Sequence, residues 1–260
     1  MQTRATKYSL LVFACLIAGQ LACVGRLTPS SNSGTASSPS PNQTALVDQI
    51  FDRYTQAIGG QEAVDRITSY KTKGTFALGR MRGSMEVWGK NPDKNLTIIE
   101  FPQLGTLKKG FDGEARWVQT PAGTVTDSNE QEIADVERDA EVYRAGKIKS
   151  LYESVKLDSK ARLSGRDVYV IEGEQKKGPA EKLFFDVENG LLVRWDMARR
   201  HPKRGTVFVK VHLNDYREVS GVKVPFNIRF GFESFSFTIT LDELQHNIPI
   251  DDSMFRKPGS

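Results

Sequence analysis

The sequence predicts an α+β domain in which a strongly curved antiparallel sheet, an unclosed half-barrel of about ten strands, wraps around an N-terminal helix. Three observations lead to this prediction. The C-terminal half alternates apolar and polar residues with a period of two, one amphipathic helix precedes the strands, and a charged helical segment interrupts them. Because each strand has one apolar face, the sheet must cover that face by curving around the helix and around itself.

The chain begins with a segment typical of an export leader. Arg4 and Lys7 supply a basic start, and the apolar run from Leu10 to Gly19 is shorter than the roughly 20 residues that a membrane-spanning helix needs. Residues 1–22 are therefore predicted to be a signal peptide. The expected location of the exported protein is the periplasm or another part of the bacterial cell envelope.

Cys23 follows Leu21 and Ala22, and this resembles a bacterial lipobox, in which the cysteine becomes the lipidated first residue. Gln20 and Leu21 depart from the usual pattern of Leu followed by a small residue. Lipidation at Cys23, cleavage nearby and retention of the leader as an anchor are all compatible with the sequence, and we expect lipidation. Residue 24 is not the Asp that marks inner-membrane retention in some bacteria, which favours the outer membrane.

Residues 23–43 are rich in Ser and Pro, and they have too little apolar surface to fold, so they are predicted to form a flexible tether. The folded domain is then expected to span residues 44–260. Cys15 and Cys23 are the two cysteines of the chain, so the domain must depend on its core rather than on disulfides. The net charge of +4 is too small to indicate a nucleic-acid partner.

The first predicted element of the domain is a helix that Thr44 can cap and that Gly59 and Gly60 end. A second short helical turn covers residues 61–67. The apolar residues of the first helix recur at helical spacing: Leu46, Val47, Ile50, Phe51, Tyr54 and Ile58.

Strands account for most of the remaining chain. Residues 222–230 and 235–241 alternate in opposite parity, which predicts a hairpin with one buried face. Pro225 lies within this pattern, so we expect it at a sheet edge or a bulge. Residues 129–143 have a helical composition with a narrow apolar stripe, and a further short helix is predicted through Ile148, Leu151, Tyr152 and Val155.

Three segments resemble the outer-membrane lipoprotein-sorting superfamily, which includes LolA- and LolB-type carriers. They are residues 185–194, with a strand, an Asp-x-x-x-Gly-Leu turn and a second strand, residues 215–225, and residues 247–255. The resemblance extends over most of residues 44–258. It implies an unclosed barrel whose apolar concave face, covered by a helical lid at residues 129–155, holds acyl chains of lipids or lipoproteins.

A non-catalytic lipid- or lipoprotein-binding protein of the cell envelope is therefore the predicted function. An apolar cleft with few polar groups suits such a ligand. The alternative is an envelope sensor or assembly module that uses the same fold, with a filled core, for protein contact. The aromatic residues expected at the cleft are Trp117, Trp195, Phe185, Phe226, Phe230, Phe235 and Phe237.

Catalytic and metal sites are not predicted, and neither is a cofactor. His201, His212 and His246 lack metal-ligand spacing, and His212 is expected on the polar face of its strand. The sequence contains no Gly-x-Ser-x-Gly motif, phosphate loop or dinucleotide fingerprint. The carboxylate pairs, Glu130 with Glu132 and Asp251 with Asp252, are interpreted as surface or capping charges.

A cluster of basic residues is predicted where two strands join. Arg199, Arg200, Lys203 and Arg204 form this basic tip. A solvated loop explains it, and so does contact with an anionic membrane surface or an acidic partner, because each Lys or Arg near such a membrane contributes about 1 kcal/mol.

Overall fold

Helix α1 spans Pro41–Ala57 and helix α2 spans Gln61–Asp65 in the computed structural model, which describes residues 41–127, 145–175, 178–201 and 205–259. Two short 3₁₀ helices cover Ala145–Leu151 and Asp252–Phe255. The strands are β1 (Ser69–Leu78), β2 (Met81–Lys90), β3 (Lys94–Phe101), β4 (Gly105–Phe111), β5 (Arg116–Gln119), β6 (Val125–Asp127), β7 (Ser154–Leu163), β8 (Arg166–Glu174), β9 (Glu181–Asp186), β10 (Leu192–His201), β11 (Gly205–Val219), β12 (Val222–Gly231) and β13 (Ser236–His246).

All the described strands form one antiparallel sheet of thirteen strands, in the order β6-β5-β4-β3-β2-β1-β13-β12-β11-β10-β9-β8-β7. Two meanders, β1–β6 and β7–β13, are joined by the pairing of β1 with β13. Strands β6 and β7 are the two edges, so the sheet is curled and unclosed, as predicted. We call the end with the turns at 79–80 and 232–235 the upper rim, and the end with the turns at 187–191 and 220–221 the lower rim.

The sheet has thirteen described strands where the sequence pattern predicts about ten. The strands that were not predicted are the two edge strands, β6 and β7, and the interior strand β8, in which Val168, Val170 and Ile171 are buried. In β7, most side chains are exposed and polar, which is common at an edge that must not recruit another strand. The helix predicted through Ile148 and Val155 is wrong in its second half. The 3₁₀ helix ends at Leu151, and Val155 lies in β7, opposite Gly173 of β8.

Helix α1 ends before Gly59 and Gly60, as predicted, and begins at Pro41, before the expected cap at Thr44. Its axis runs from the upper to the lower rim. Near its start, Asp48 pairs with Lys149 of the first 3₁₀ helix, and just beyond its end the carbonyl of Ile58 accepts a hydrogen bond from the backbone N–H of Lys223 at 2.8 Å.

One face of the sheet, here called the inner face, carries the apolar residues that meet α1. Five residues of α1 and the turn that follows pack there against β8–β12, and each such burial contributes about 1.5–3 kcal/mol relative to exposure. These residues are Val47, Ile50, Phe51, Tyr54 and Ile58.

Pro225 lies in the part of β12 that pairs with β11 but not with β13. The β12–β13 pairing covers Asn227 to Gly231 only, so the N-terminal part of β12 is a local edge on that side. The missing N–H of Pro225 therefore costs no ladder hydrogen bond with β13. The expectation of an edge position is confirmed at the local level.

The C-terminal segment, residues 247–258, lies on the opposite, outer face of β2–β5. Phe255 is fully buried there against Trp117, and the Trp117 Nε1–H donates to the Phe255 carbonyl at 2.9 Å. Asp252 accepts hydrogen bonds from Lys90 and Lys94, each at 2.6 Å. These contacts hold the C-terminal segment against the outer face of β2–β5 in the first meander.

The stabilisation from the ion pairs of Asp252 with Lys90 and Lys94 should depend on pH. Hydrogen bonds from Lys90 and Lys94 lower the pKa of Asp252 from 3.8 to about 2. Because the folded-state pKa is the lower one, the stabilisation is complete above the unfolded-state pKa and is lost as the pH falls from 3.8 through about 2. We expect Asp252→Asn to lower the Tm at pH 6 and to have little effect once the pH is below the folded-state pKa.

Thermal unfolding followed by circular dichroism at a series of pH values checks this expectation. The matched control is Asp242→Asn, which changes an exposed carboxylate on β13. A Tm difference between wild type and Asp252→Asn that stays constant across the acidic range would contradict the assignment.

The part of the chain that the structure describes contains no helix that is long and apolar enough to cross a membrane. The predicted leader, Cys23 and most of the tether, as well as the charged segment at residues 129–143, lie outside the described residues.

Candidate functional site

The inner face of the sheet has two halves, and α1 covers the half formed by β8–β12. Phe185 lies at the centre of this half, with its ring centroid 5.3 Å from that of Phe51 and 5.4 Å from that of Tyr54. Trp195 is also fully buried there. Of the aromatic residues expected at the cleft, Phe185 therefore packs against the helix, and Trp195 is buried in the same core cluster.

The other half is formed by β1–β4 with the adjoining parts of β12 and β13. Phe76, Met85 and Phe101 are buried in it, and the Phe76 ring lies 5.5 Å from Phe101 in an edge-to-face contact. None of the described helices contributes a side chain to this cluster. Its margin consists of partly exposed apolar residues: Leu78, Met81, Leu104 and Phe237.

Four phenylalanines lie at the upper rim where the two halves meet, and two of them, Phe230 and Phe232, also pack against the half that α1 covers. Phe230 stacks on Phe237 at 4.6 Å, and Phe232 stacks on Phe235 at 4.4 Å across the β12–β13 turn. Phe237 also contacts Phe76 at 5.0 Å, which joins the four rings to the buried cluster. All four are half-buried, so their remaining exposed area lies at the open end of the inner face.

The structure separates the other predicted site residues. Phe226 is buried in the β1–β4 half of the inner face. Trp117 lies on the outer face beneath the C-terminal segment. For the predicted basic tip, the backbones of Arg199 and Arg200 lie in β10 at the upper rim, whereas Lys203 and Arg204 lie outside the described residues.

Two buried polar atoms of the inner face lie near the junction of β1 and β13. Thr72 Oγ1 and His246 Nδ1 are buried without a hydrogen-bond partner in the described structure. Burial lowers the pKa of His246, and a hydrogen bond to the backbone of Val219 opposes this shift. The imidazole is therefore held in its neutral form, so it adds no charge to the apolar face.

Solved structures with this architecture come from several bacteria. A DUF1329 family protein from Desulfovibrio piger is 16% identical with a TM-score of 0.57, and the match covers 81% of this chain and 97% of that one. An outer membrane lipoprotein-sorting protein domain from Vibrio parahaemolyticus is 11% identical with a TM-score of 0.55, over 80% of this chain and 94% of that one. A LolA superfamily protein from Nitrosomonas europaea is 12% identical with a TM-score of 0.54, over 81% and 97%.

The chain has a LolA-like fold. At these identities the likeness establishes the architecture alone. No protein-family profile matches the sequence, and no curated protein matches it either.

The LolA-like domain also contains a buried carboxylate that the sequence analysis missed. Glu181 is 1% exposed at the start of β9. One oxygen, Oε2, accepts hydrogen bonds from the Tyr152 hydroxyl at 2.8 Å and from Trp195 Nε1 at 2.9 Å. The other, Oε1, accepts from Gln175 Nε2 at 3.0 Å and from the backbone N–H of Ala198 at 2.9 Å.

This network joins Tyr152, which follows the first 3₁₀ helix, to strands β9 and β10 near the upper rim. Its donors come from four separate positions in the sequence, so no local motif predicts the network. The one available signal is the alternation of β9, in which Glu181 occupies the same face as Leu183 and Phe185.

The remaining charged candidates occupy positions with structural roles. Asp251 caps the second 3₁₀ helix by accepting from the Ser253 N–H at 2.8 Å, and Asp252 forms the ion pairs described above. His212 projects from the outer face, as predicted, opposite Arg229. Within residues 41–127, 145–175, 178–201 and 205–259, no group of three or more His, Cys, Asp or Glu side chains could hold a metal ion.

Proposed function

We propose that this protein binds acyl chains of lipids or lipoproteins on the β1–β4 half of its inner face. The observation that carries the proposal is a buried apolar cluster with a half-exposed apolar margin, to which the described helices contribute no side chain. The aromatic rings of the upper rim provide the entrance to this surface.

The dimensions and chemistry of the surface suit an acyl chain. Strand β1 alone runs for ten residues, which corresponds to about 33 Å of strand. Each methylene group that leaves water contributes about 0.8 kcal/mol, so a long chain can offset the entropy lost on binding. Among the described residues, the buried polar atoms without a partner are Thr72 Oγ1 and His246 Nδ1, so an apolar ligand would meet little unpaired polar surface there.

The similar domain from Vibrio parahaemolyticus, described as lipoprotein-sorting, supports an envelope role for the same fold. In this protein, a leader at residues 1–22, lipidation at Cys23 and a tether would place the domain beside a membrane, with the outer membrane favoured. Binding without catalysis is the simplest activity for an apolar face of this kind.

Phe237→Glu should remove acyl-chain binding. The half-buried ring of Phe237 contacts Phe76 and Phe230, and a carboxylate at this position would put a charge where the ligand is apolar. We expect the affinity for a dansyl-labelled fatty acid, measured by fluorescence titration below its micellar concentration, to fall at least about tenfold.

Phe208→Glu is the matched control. Phe208 is a phenylalanine on β11, but it lies on the outer face and is 61% exposed, so its replacement should leave the affinity unchanged. Equal effects of the two variants, or no saturable binding by wild type together with lipid-free protein in native mass spectrometry, would overturn the proposal in favour of a filled protein-contact module.

A further inference from the structure

The end of the β10–β11 hairpin projects beyond its neighbours at the upper rim. Strand β11 begins at Gly205, but its pairing with β12 begins only at Lys210, which lies opposite Gly231. Residues 205–209 therefore extend about 16 Å beyond the end of β12. On the other side, β9 pairs with β10 only as far as Asp196.

The two faces of this projecting end differ in their environment. Val209 and Met197 point inward and are buried in the main core. Phe208 points the opposite way, and this large apolar residue is 61% exposed. An apolar ring of this size at a projecting strand end has an energetic cost in water that burial against a partner would remove.

Positive charge lies on the outer face between Phe208 and the middle of the sheet. Lys210 is two residues further along the same strand and is exposed, and the exposed Arg229 lies opposite His212. Arg194 also lies here and forms an ion pair with Asp196. Arg194, Lys210 and Arg229 thus outnumber Asp196, and this excess complements an anionic surface.

The chain that precedes the domain reaches it at the same rim. Asp48, near the start of α1, pairs with Lys149 beside the upper rim, while Ile58 lies at the lower rim. Residues 1–40 therefore join the domain at Pro41 on the side from which the β10–β11 hairpin projects. A membrane anchor in those residues would attach the domain to the bilayer by a tether that starts at this rim.

We propose that the outer face of the projecting β10–β11 end is a docking surface for a bilayer that contains anionic phospholipids. Phe208 enters the interfacial region, and Lys210 and Arg229 contact phosphate groups. Aromatic rings suit this region, and basic residues add electrostatic attraction that salt screens. This surface is separate from the proposed acyl-binding face, because the two lie on opposite faces of the sheet.

A positional fluorescence experiment tests the docking surface. Cys15 and Cys23 are changed to Ser in the full chain, and a single cysteine that carries an environment-sensitive dye replaces Phe208 or, as a control, Ala161, which is exposed on β7 towards the lower rim. On vesicles of equimolar phosphatidylglycerol and phosphatidylcholine, we expect a blue shift at position 208 and none at 161. The dye reports only the surroundings of its own position. Binding of the protein to the vesicle through residues 1–40 therefore does not by itself produce the shift at position 208.

Charge and ring variants supply the quantitative test. Lys210→Ser with Arg229→Ser should lower the vesicle partition coefficient about twentyfold, whereas the matched pair Arg162→Ser with Lys223→Ser, exposed at the lower rim, should leave it unchanged. In the chain without dye, Phe208→Ser should lower it about tenfold.

Three outcomes would overturn the proposal. They are equal dye responses at positions 208 and 161, a response that is identical on pure phosphatidylcholine, and a response to protein concentration without vesicles, which would assign Phe208 to contact between copies of the chain. Phe237→Glu should retain docking and Phe208→Ser should retain fatty-acid binding, so the failure of either proposal is distinguishable from the failure of the other.

Discussion

Glu181→Ala is expected to lower the free energy of unfolding by about 4 kcal/mol, because it removes the acceptor of four hydrogen bonds from a buried site. The hydroxyl of Tyr152 and the indole N–H of Trp195 would lose this acceptor in surroundings that water does not reach, and the lost side chain would leave a cavity. Urea unfolding at neutral pH, followed by tryptophan fluorescence, measures the change.

Two further variants separate the role of the carboxylate from that of any charge on these strands. Glu181→Gln keeps the shape but replaces one acceptor oxygen by a donor, so we expect a loss of about 2 kcal/mol. Glu172→Ala removes the partner of Lys156 in a partly exposed ion pair on the neighbouring strands, and it should cost less than about 1 kcal/mol. A cost for Glu181→Ala no larger than that for Glu172→Ala would contradict the structural role of the network.

Gly59→Ala should be the other severely destabilising change, with a loss of about 4 kcal/mol. Gly59 has a φ of 121°, and a Cβ atom there would lie 2.0 Å from the carbonyl oxygen of Gly221. The clash is with backbone at the point where the Ile58 carbonyl and the Lys223 N–H join α1 to the start of β12. Relief of the clash would therefore have to displace the helix end or break this hydrogen bond.

Gly79→Ala is the control for a glycine with a positive φ but no clash. Gly79 has a φ of 57° in the β1–β2 turn, and a Cβ there meets nothing within 4 Å, so only the conformational cost of about 1 kcal/mol remains. Chemical unfolding of both variants gives the comparison. If the two glycine substitutions cost the same, close packing at Gly59 is not what holds the helix against the sheet.

The elements that the sequence predicts well are those whose pattern is local. The 3.6-residue spacing of Val47, Ile50 and Tyr54 predicts α1 and its buried stripe, and Gly59-Gly60 predicts its end. The alternation in residues 222–230 and 235–241 predicts the β12–β13 hairpin. The polar edge strand β7 is missed because few of its side chains are buried, so the pattern contains little signal.

The candidate site could be predicted only in part. Alternation shows which residues share the apolar face of a strand, as Phe237 does in its hairpin, but it does not show which face of the curled sheet that is. The register places Trp117 beneath Phe255 on the outer face and Phe237 at the upper rim of the inner face. Phe208 is likewise distinguishable from its buried neighbours only once β11 is known to project beyond β12.

The sequence by itself determined the helix, the antiparallel hairpins and the absence of a disulfide from the predicted domain, because these follow from spacing along the chain and from residue type. Only the tertiary structure decided which half of the inner face α1 covers, where Glu181 finds its four donors and which phenylalanine remains exposed. These features depend on pairings between residues far apart in sequence, such as Tyr152 with Glu181 and Trp117 with Phe255. Local periodicity contains no information about such contacts, because it is the same for every register that buries the same face.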